Sequence, residues 1–98
     1  MAQFDVYRTR SGDVVLDCQA DVLDDLNTRF TVPLLHPRKS PQPAEHLNPL
    51  FSIDGENLIM VTQFATAIPS IELDERIASL SAHHFTIIRA IDMLLAGV

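Results

Sequence analysis

Between Leu80 and Val98 the apolar residues recur at three- and four-residue spacing. His84, Ile87, Ile88, Ile91, Leu94, Leu95 and Val98 thereby fall on one face, which is the period of an amphipathic helix. Ser81 stands where a hydroxyl can cap the free N–H groups of a first turn, with Leu80 and Phe85 at hydrophobic-staple spacing across it. Gly97 follows the last good helix formers, where a left-handed residue commonly closes a helix. Arg89 and Asp92 lie beside the stripe and are expected to pair weakly.

Before this helix the period shortens to that of strands and turns. Phe4 and Val6 alternate with Asp5 and Tyr7, Ser11-Gly12-Asp13 supplies turn chemistry, and Val14 to Cys18 completes an N-terminal hairpin. Arg29 to Leu35 reads as a third strand whose Pro33 lacks an N–H, which predicts a sheet edge, a bulge or a bend. Pro37, Pro41, Pro43 and Pro49 break regular structure, and His36 to Asn48 is expected to be an exposed loop. Asp54-Gly55 is the clearest hairpin signal, joining Leu50–Ile53 to Leu58–Thr62. Gln63 to Pro69 extends the strand pattern into a bend, Ile71 to Leu73 adds a last short strand, and Asp74 to Leu80 is expected to form a helical turn.

The helix stripe continues to the last residue, through Leu94-Leu95-Ala96-Gly97-Val98. Most apolar helix faces are core, so the ordinary expectation is that this tip packs on its own domain; docking against another protomer or a target is the alternative. At 98 residues the chain is read as one domain, 1–98, with a modest core. A hydrophobic fraction of 47% with 20% charged residues describes a folded protein and not a disordered one. A single cysteine, Cys18, precludes an internal disulfide and suits a reducing compartment. The start has no basic-then-apolar layout of a secretion signal and no apolar run reaches membrane-spanning length, so the expectation is a cytoplasmic protein that meets no membrane. A net charge of -6 argues against direct nucleic-acid binding, which draws its affinity from clustered Lys and Arg.

Candidate catalytic chemistry is sparse, and neither a cofactor nor a metal site is expected. His83 and His84 are adjacent, about 100 degrees apart on a helix, and poorly placed to share a metal. Asp21, Asp24 and Asp25 form an acidic cluster without the glycine and terminal glutamate of a calcium loop, and read as a solvated turn. Cys18 has no evident activating partner and reads as a small core residue. No phosphate-binding glycine loop or serine-nucleophile elbow is present.

The order of short segments resembles the CcdB family of bacterial toxins. The carrying residues are Gln3-Phe4-Asp5-Val6-Tyr7, Asp17 to Asp24, Arg29-Phe30-Thr31-Val32-Pro33-Leu34, Ile53-Asp54-Gly55, Met60 to Gln63, Ala67-Ile68-Pro69, Leu80-Ser81 and Ala90 to Val98. The resemblance runs in order along nearly the whole chain. It implies a mainly β fold with one C-terminal helix: an SH3-like barrel of antiparallel strands with a small accessory sheet, assembled as a homodimer. It further implies a toxin that binds the GyrA subunit of DNA gyrase and traps the gyrase–DNA cleavage complex, performing no bond chemistry itself. A CcdA-like antitoxin would neutralise it and carry the pair to operator DNA, an arrangement compatible with an acidic toxin.

Transferred position by position, the gyrase-facing surface comprises Val22 and Leu23, Asp92, and Leu95, Ala96, Gly97 and Val98. Toxic members of the family have tryptophan where this chain has Ala96, and Trp is absent from this sequence. Asp92 stands where asparagine is usual. A folded homologue with weak or no gyrase poisoning is therefore the alternative. More distant is a ribonuclease like the MazF toxins, which share the barrel; Gly12-Asp13 resembles the start of that family, but the following arginine-proline strand signature is missing.

Overall fold

The computed structural model describes residues 2–98. Seven strands curl into a half-barrel closed by one helix: β1 (Asp5–Thr9), β2 (Val14–Asp17), β3 (Thr28–Leu35), β4 (Leu50–Ile53), β5 (Glu56–Met60), β6 (Thr66–Pro69), β7 (Leu73–Ser79) and α1 (His84–Ala96). The strands run in the order β4-β5-β3-β2-β1-β7, with β6 also pairing with β3, and every pairing is antiparallel.

Both predicted hairpins form. Gly12 closes β1–β2 at φ 95°, and Asp54 and Gly55 close β4–β5 at φ 51° and 79°. Two successive positive φ values are what a two-residue hairpin turn requires, and Asp tolerates the first because its short polar side chain lowers the left-handed penalty. The loop from His36 is anchored by Asn48, whose side chain accepts from Ala44 N at 2.9 Å and donates to Met60 O at 3.1 Å and Gln63 Oε1 at 2.8 Å.

Pro33 marks a bend in β3, one of the three outcomes its missing N–H predicted. β3 pairs with β6 up to Thr31 and with β5 from Leu34, so it leaves one sheet and enters a small accessory one. Pro33 O accepts from Val61 N at 3.0 Å on that side of the strand. In extended backbone the N and O of one residue point the same way, so the missing donor falls at the gap between the two partners and no ladder bond is lost.

The main core lies on the face of the sheet that carries Val6, Leu16 and Val32, which stand in register across β1, β2 and β3 and are fully buried. Phe4, Cys18, Leu34, Phe51, Leu58 and Met60 extend it, and α1 inserts Ile87 and Ala90. The opposite face carries a smaller cluster of Tyr7, Val15 and Leu73, with Ile68 against it. Phe4 ties the strands to the helix. It has φ 70°, costly for an aromatic residue, yet its N donates to Asp17 O at 2.6 Å, its O accepts from Leu80 N at 2.8 Å, and its ring meets His84 edge-on at 5.3 Å.

Several expectations are corrected. Asp74 to Leu80 is not a helical turn: Leu73–Ser79 is β7, paired with β1, and 3-10 turns flank it at Ser70–Glu72, where Ile71 to Leu73 was expected to be a strand, and at Ser81–His83. The segment is rich in residues that favour helix locally, but the open edge of β1 offers it a ladder, and tertiary pairing overrides propensity. Its charged side chains also protect the new outer edge from further pairing. Ser81 does not cap α1. It opens a 3-10 turn, Ser81–His83, in which the Ser79 hydroxyl bonds the Ser81 hydroxyl at 3.2 Å, and α1 starts after His83 without a side-chain cap. Phe85 is 86% exposed and makes no staple. Arg89 turns from Asp92 to His46, Nη2 to Nε2 3.1 Å. Gly97 does close the helix in the left-handed conformation, its N–H bonding Met93 O at 3.0 Å.

Cys18 is buried in the main core, and burial, reinforced by the Asp17 charge, pushes its thiol up to about 12. The unfolded thiol ionises near 9.0. Between those values the unfolded chain has released a proton that the folded chain keeps, so this contribution to stability is complete below pH 9 and is lost as pH rises toward 12, at about 1.4 kcal/mol per pH unit. Alkaline urea titrations should show Cys18→Ala with a shallower decline than the parent. The native thiol should also resist a disulfide reagent that labels it fully once the chain unfolds.

Candidate functional site

The segment between β2 and β3 carries the first candidate residues, and its shape depends on a buried ion pair. Asp17 and Thr31 are register partners, which places Arg29 diagonally from Asp17 on the same face of the sheet. Arg29 is the largest fully buried side chain. Its Nη2 lies 2.6 Å from Asp17 Oδ2, its Nε lies 3.1 and 3.2 Å from the two Asp17 oxygens, and its Nη1 reaches Asp24 Oδ1 at 2.8 Å. Burial alone would lower the Arg29 pKa, but the hydrogen bonds and charge of Asp17, joined by those of Asp24, outweigh it and raise it. The guanidinium therefore stays cationic and holds both strand and turn.

This corrects the reading of the acidic cluster as merely solvated. Asp24 is half exposed but fixed by Arg29, and Asp21 accepts from Gln3 N at 2.8 Å. Gln19 adds a second brace, its side chain donating to Leu23 O at 2.9 Å and accepting from Phe30 N at 2.9 Å. The result is a 3-10 turn, Asp21–Leu23, that points Val22 and Leu23 outward at 87% and 48% exposure, with Leu26 beside them at 50%. Leu26 was not singled out in the sequence. Its signal was its position in a short polar segment where an apolar residue has no core to join.

The second group lies on the last turns of α1. Ile87 and Ala90 are buried, whereas Leu95 and Val98 are 76% and 79% exposed, and Asp92, Ala96 and Gly97 are exposed. The tip thus does not pack on its own domain, contrary to the ordinary expectation for an apolar helix face. The sheet supports only the first half of the stripe, and the second half runs past it. The helix packs on the main core through Ile87 and Ala90, with Ile88 and Ile91 against it, whereas the Val22–Leu23 turn lies between β2 and β3, so the turn and the tip are two patches on separate elements.

The remaining candidates show little chemistry. His83 and His84 are used as rings, against Phe51 at 5.1 Å and Phe4 at 5.3 Å respectively. Among the described residues no group of three or more His, Cys, Asp or Glu side chains is placed to hold a metal ion. Among the described residues no helix is long and apolar enough to cross a membrane. A cleft of about 350 Å³ opens on the small-cluster face of the sheet, between Val15, Thr31 and Ile68, with Asp13 and Glu72 among its lining.

A sequence model of the family described as "CcdB protein" matches residues 3–97. The chain belongs to the CcdB family. Two solved structures show how widely the CcdB-like fold is shared. One, titled "Endoribonuclease from Mycobacterial species", superposes with a TM-score of 0.79 at 13% identity over 97% of this chain and 90% of that one. The other, titled "Mycobacterium tuberculosis toxin MazF-mt6", gives 0.78 at 12% identity over 93% and 95%. At such identities the likeness establishes the half-barrel and its helix, and chemistry must be argued from the residues.

If the buried pair frames this part of the molecule, Asp17→Ala, which strands the Arg29 charge, should cost about 3 to 5 kcal/mol in urea denaturation. Replacing both residues with apolar ones of similar volume should cost much less than that single change. Asp24→Ala should cost only about 1 kcal/mol, because its carboxylate is already half in water.

Proposed function

We propose that this chain is the toxin of a toxin-antitoxin module, a homodimer that binds the GyrA subunit of DNA gyrase and traps the enzyme on cleaved DNA until a cognate antitoxin removes it. The observation that carries this reading is the family match over residues 3–97, joined to two exposed apolar patches with no internal structural role. Val22 and Leu23 on the braced turn, and Asp92, Leu95, Ala96, Gly97 and Val98 on the helix tip, are assigned to the gyrase-facing surface. The toxin supplies no reacting group. It acts by holding gyrase in a state that religates slowly, so its effect depends on contact area and fit. Gly97, left-handed at φ 76°, turns Val98 away from the helix axis and gives the tip its shape.

Ala96 removes the aromatic anchor that toxic relatives carry at this position, and an alanine has far less surface to desolvate than an indole. Affinity for gyrase should accordingly be lower than in those relatives. A second reading, RNA cleavage, draws on the two superposed structures, whose titles name an endoribonuclease and a MazF toxin.

The test is a gyrase cleavage assay with supercoiled DNA and ATP. Linear DNA should accumulate with the wild-type chain, and a folded protein that gives no breaks would reject poisoning in favour of a non-poisoning homologue or the RNA reading. Leu95→Glu should abolish linear DNA while leaving the melting temperature within a degree or two, because an exposed side chain contributes little to folding. Ala96→Trp should tighten binding to the GyrA subunit by about tenfold or more in calorimetry, the equivalent of about 1.4 kcal/mol.

A further inference from the structure

The chain has seven Lys and Arg residues, and their engagements are uneven. Arg29 and Arg76 are paired with carboxylates, Arg10 donates to Ile71 O at 2.9 Å, and Arg89 meets His46. Among the described residues the side chains of Arg8, Arg38 and Lys39 have neither an ion pair nor a hydrogen bond. Two of these share one cleft and the third lies beside it. Arg8, on β1, and Lys39, in the turn after β3, line one cleft of about 330 Å³, together with His36 and Glu56 over a floor that includes Leu34 and Leu58. Arg38 lines the adjoining hollow with His36 and Lys39. The turn that carries them is tied down, with Lys39 N and Ser40 N both bonded to His36 O, at 2.9 and 3.1 Å.

Arg8 and Lys39 stay without an ion pair although two carboxylates, Asp13 and Glu56, line the same cleft, so both cationic heads are free to meet an anion. We propose that this cleft binds a phosphate ester, with Arg8 on β1 and Lys39 on the turn after β3 as the charge-bearing contacts. A tetrahedral phosphate has peripheral oxygens enough to satisfy donors arriving from different directions, whereas a flat carboxylate is matched best by one guanidinium alone. His36 Nε2 lies 3.2 Å from Glu56 Oε2, so the neutral ring gives its one N–H to Glu56 and serves as a wall of the cleft. Glu56 also opposes the anion by its charge. Asp13 in the same cleft, Asp54 in the neighbouring hairpin turn, and Glu75, across from Arg8 on β7, do likewise. The site is therefore tuned for modest affinity, fit for one phosphate of a mononucleotide or of a nucleic-acid chain and not for nonspecific polyanion binding. None of its residues belongs to the gyrase-facing patches, so the proposal stands or falls independently of gyrase binding.

The experiment is an NMR titration of the full chain with inorganic phosphate, adenosine monophosphate, a short single-stranded RNA made uncleavable by 2′-O-methylation, and acetate as control. Phosphate compounds should move the amides of Arg8, His36 and Lys39, with binding weakened by salt. The double variant Arg8→Gln, Lys39→Gln should bind at least tenfold more weakly while keeping its circular dichroism and melting temperature, since both side chains are exposed. Glu56→Gln should bind more tightly, by about threefold to tenfold, an effect that a structural role for Glu56 would not produce. RNA binding tighter than the mononucleotide would assign the phosphate to a nucleic-acid backbone, and equal binding would assign it to a small free ester. No shift at tens of millimolar phosphate, equal shifts with acetate, or shifts unchanged in the double variant would overturn the proposal.

Discussion

A buried guanidinium organises this molecule. Arg29 lies in the sheet with its charge balanced by Asp17 and by Asp24 at the edge of solvent, and no buried side-chain polar atom among the described residues is left without a partner. Ion pairs of this kind seldom add much stability over apolar replacements, because desolvation consumes most of the Coulombic gain. What this one adds is definition. Arg29 can satisfy Asp17 only when β2 and β3 are in their native register, and it can satisfy Asp24 only when the segment between them folds back as a 3-10 turn. A slip of one residue would send Arg29 to the other face of the sheet and leave Asp17 buried and unpaired. The exposed Val22 and Leu23 are thus fixed in space by an interaction that lies beneath them.

β3 carries the rest of the architecture. It borders β2 on one side and, on the other, first β6 and then β5, and Pro33 sits where the partner changes. The accessory sheet is in this sense a continuation of the main one past a residue that cannot donate. Curling the sheet at this point wraps the Val6, Leu16 and Val32 row around Ile87 and Ala90, which is why only two helix residues need be fully buried to seat α1. The second face gathers Tyr7, Asp17, Arg29 and Thr31, and the field there is strong enough that burial, Asp5 and Asp17 raise the Tyr7 hydroxyl above its ordinary range.

Features encoded by neighbouring residues were legible in the sequence. Asp54-Gly55, Ser11-Gly12-Asp13, the prolines after His36 and the helical period beyond His84 each act within a few positions, and each formed where expected. The family resemblance was likewise legible in the order of short segments, and with it the fold. Features set by partners distant in the chain were not. Asp74 to Ser79 reads as helix until the open edge of β1 is known. Asp17 and Arg29 read as two ordinary charges until the β2–β3 register puts them on one diagonal. The fate of the helix stripe depended on where the sheet beneath it stops, which periodicity cannot encode. The cleft of Arg8, His36 and Lys39 was hidden for the same reason, since it joins β1 to a turn some thirty residues away.

The two apolar patches rest on different physics, and this bears on how each could evolve. The Val22–Leu23 turn is clamped by Arg29, Gln19 and Gln3, so a partner meeting it finds a preformed surface and loses little entropy in ordering it. The tip has no such clamp. Beyond Met93 it is held by helical hydrogen bonds and one left-handed cap, and the side chains of Leu95 and Val98 are largely exposed. Binding there must order those side chains, and a large rigid aromatic ring would offset that cost better than Ala96 does. Replacing tryptophan by alanine at this position therefore removes both contact area and rigidity, while the clamped turn is untouched. Such a change weakens a partner that needs the tip more than it weakens one that leans on the turn, so affinity at the two patches can change independently.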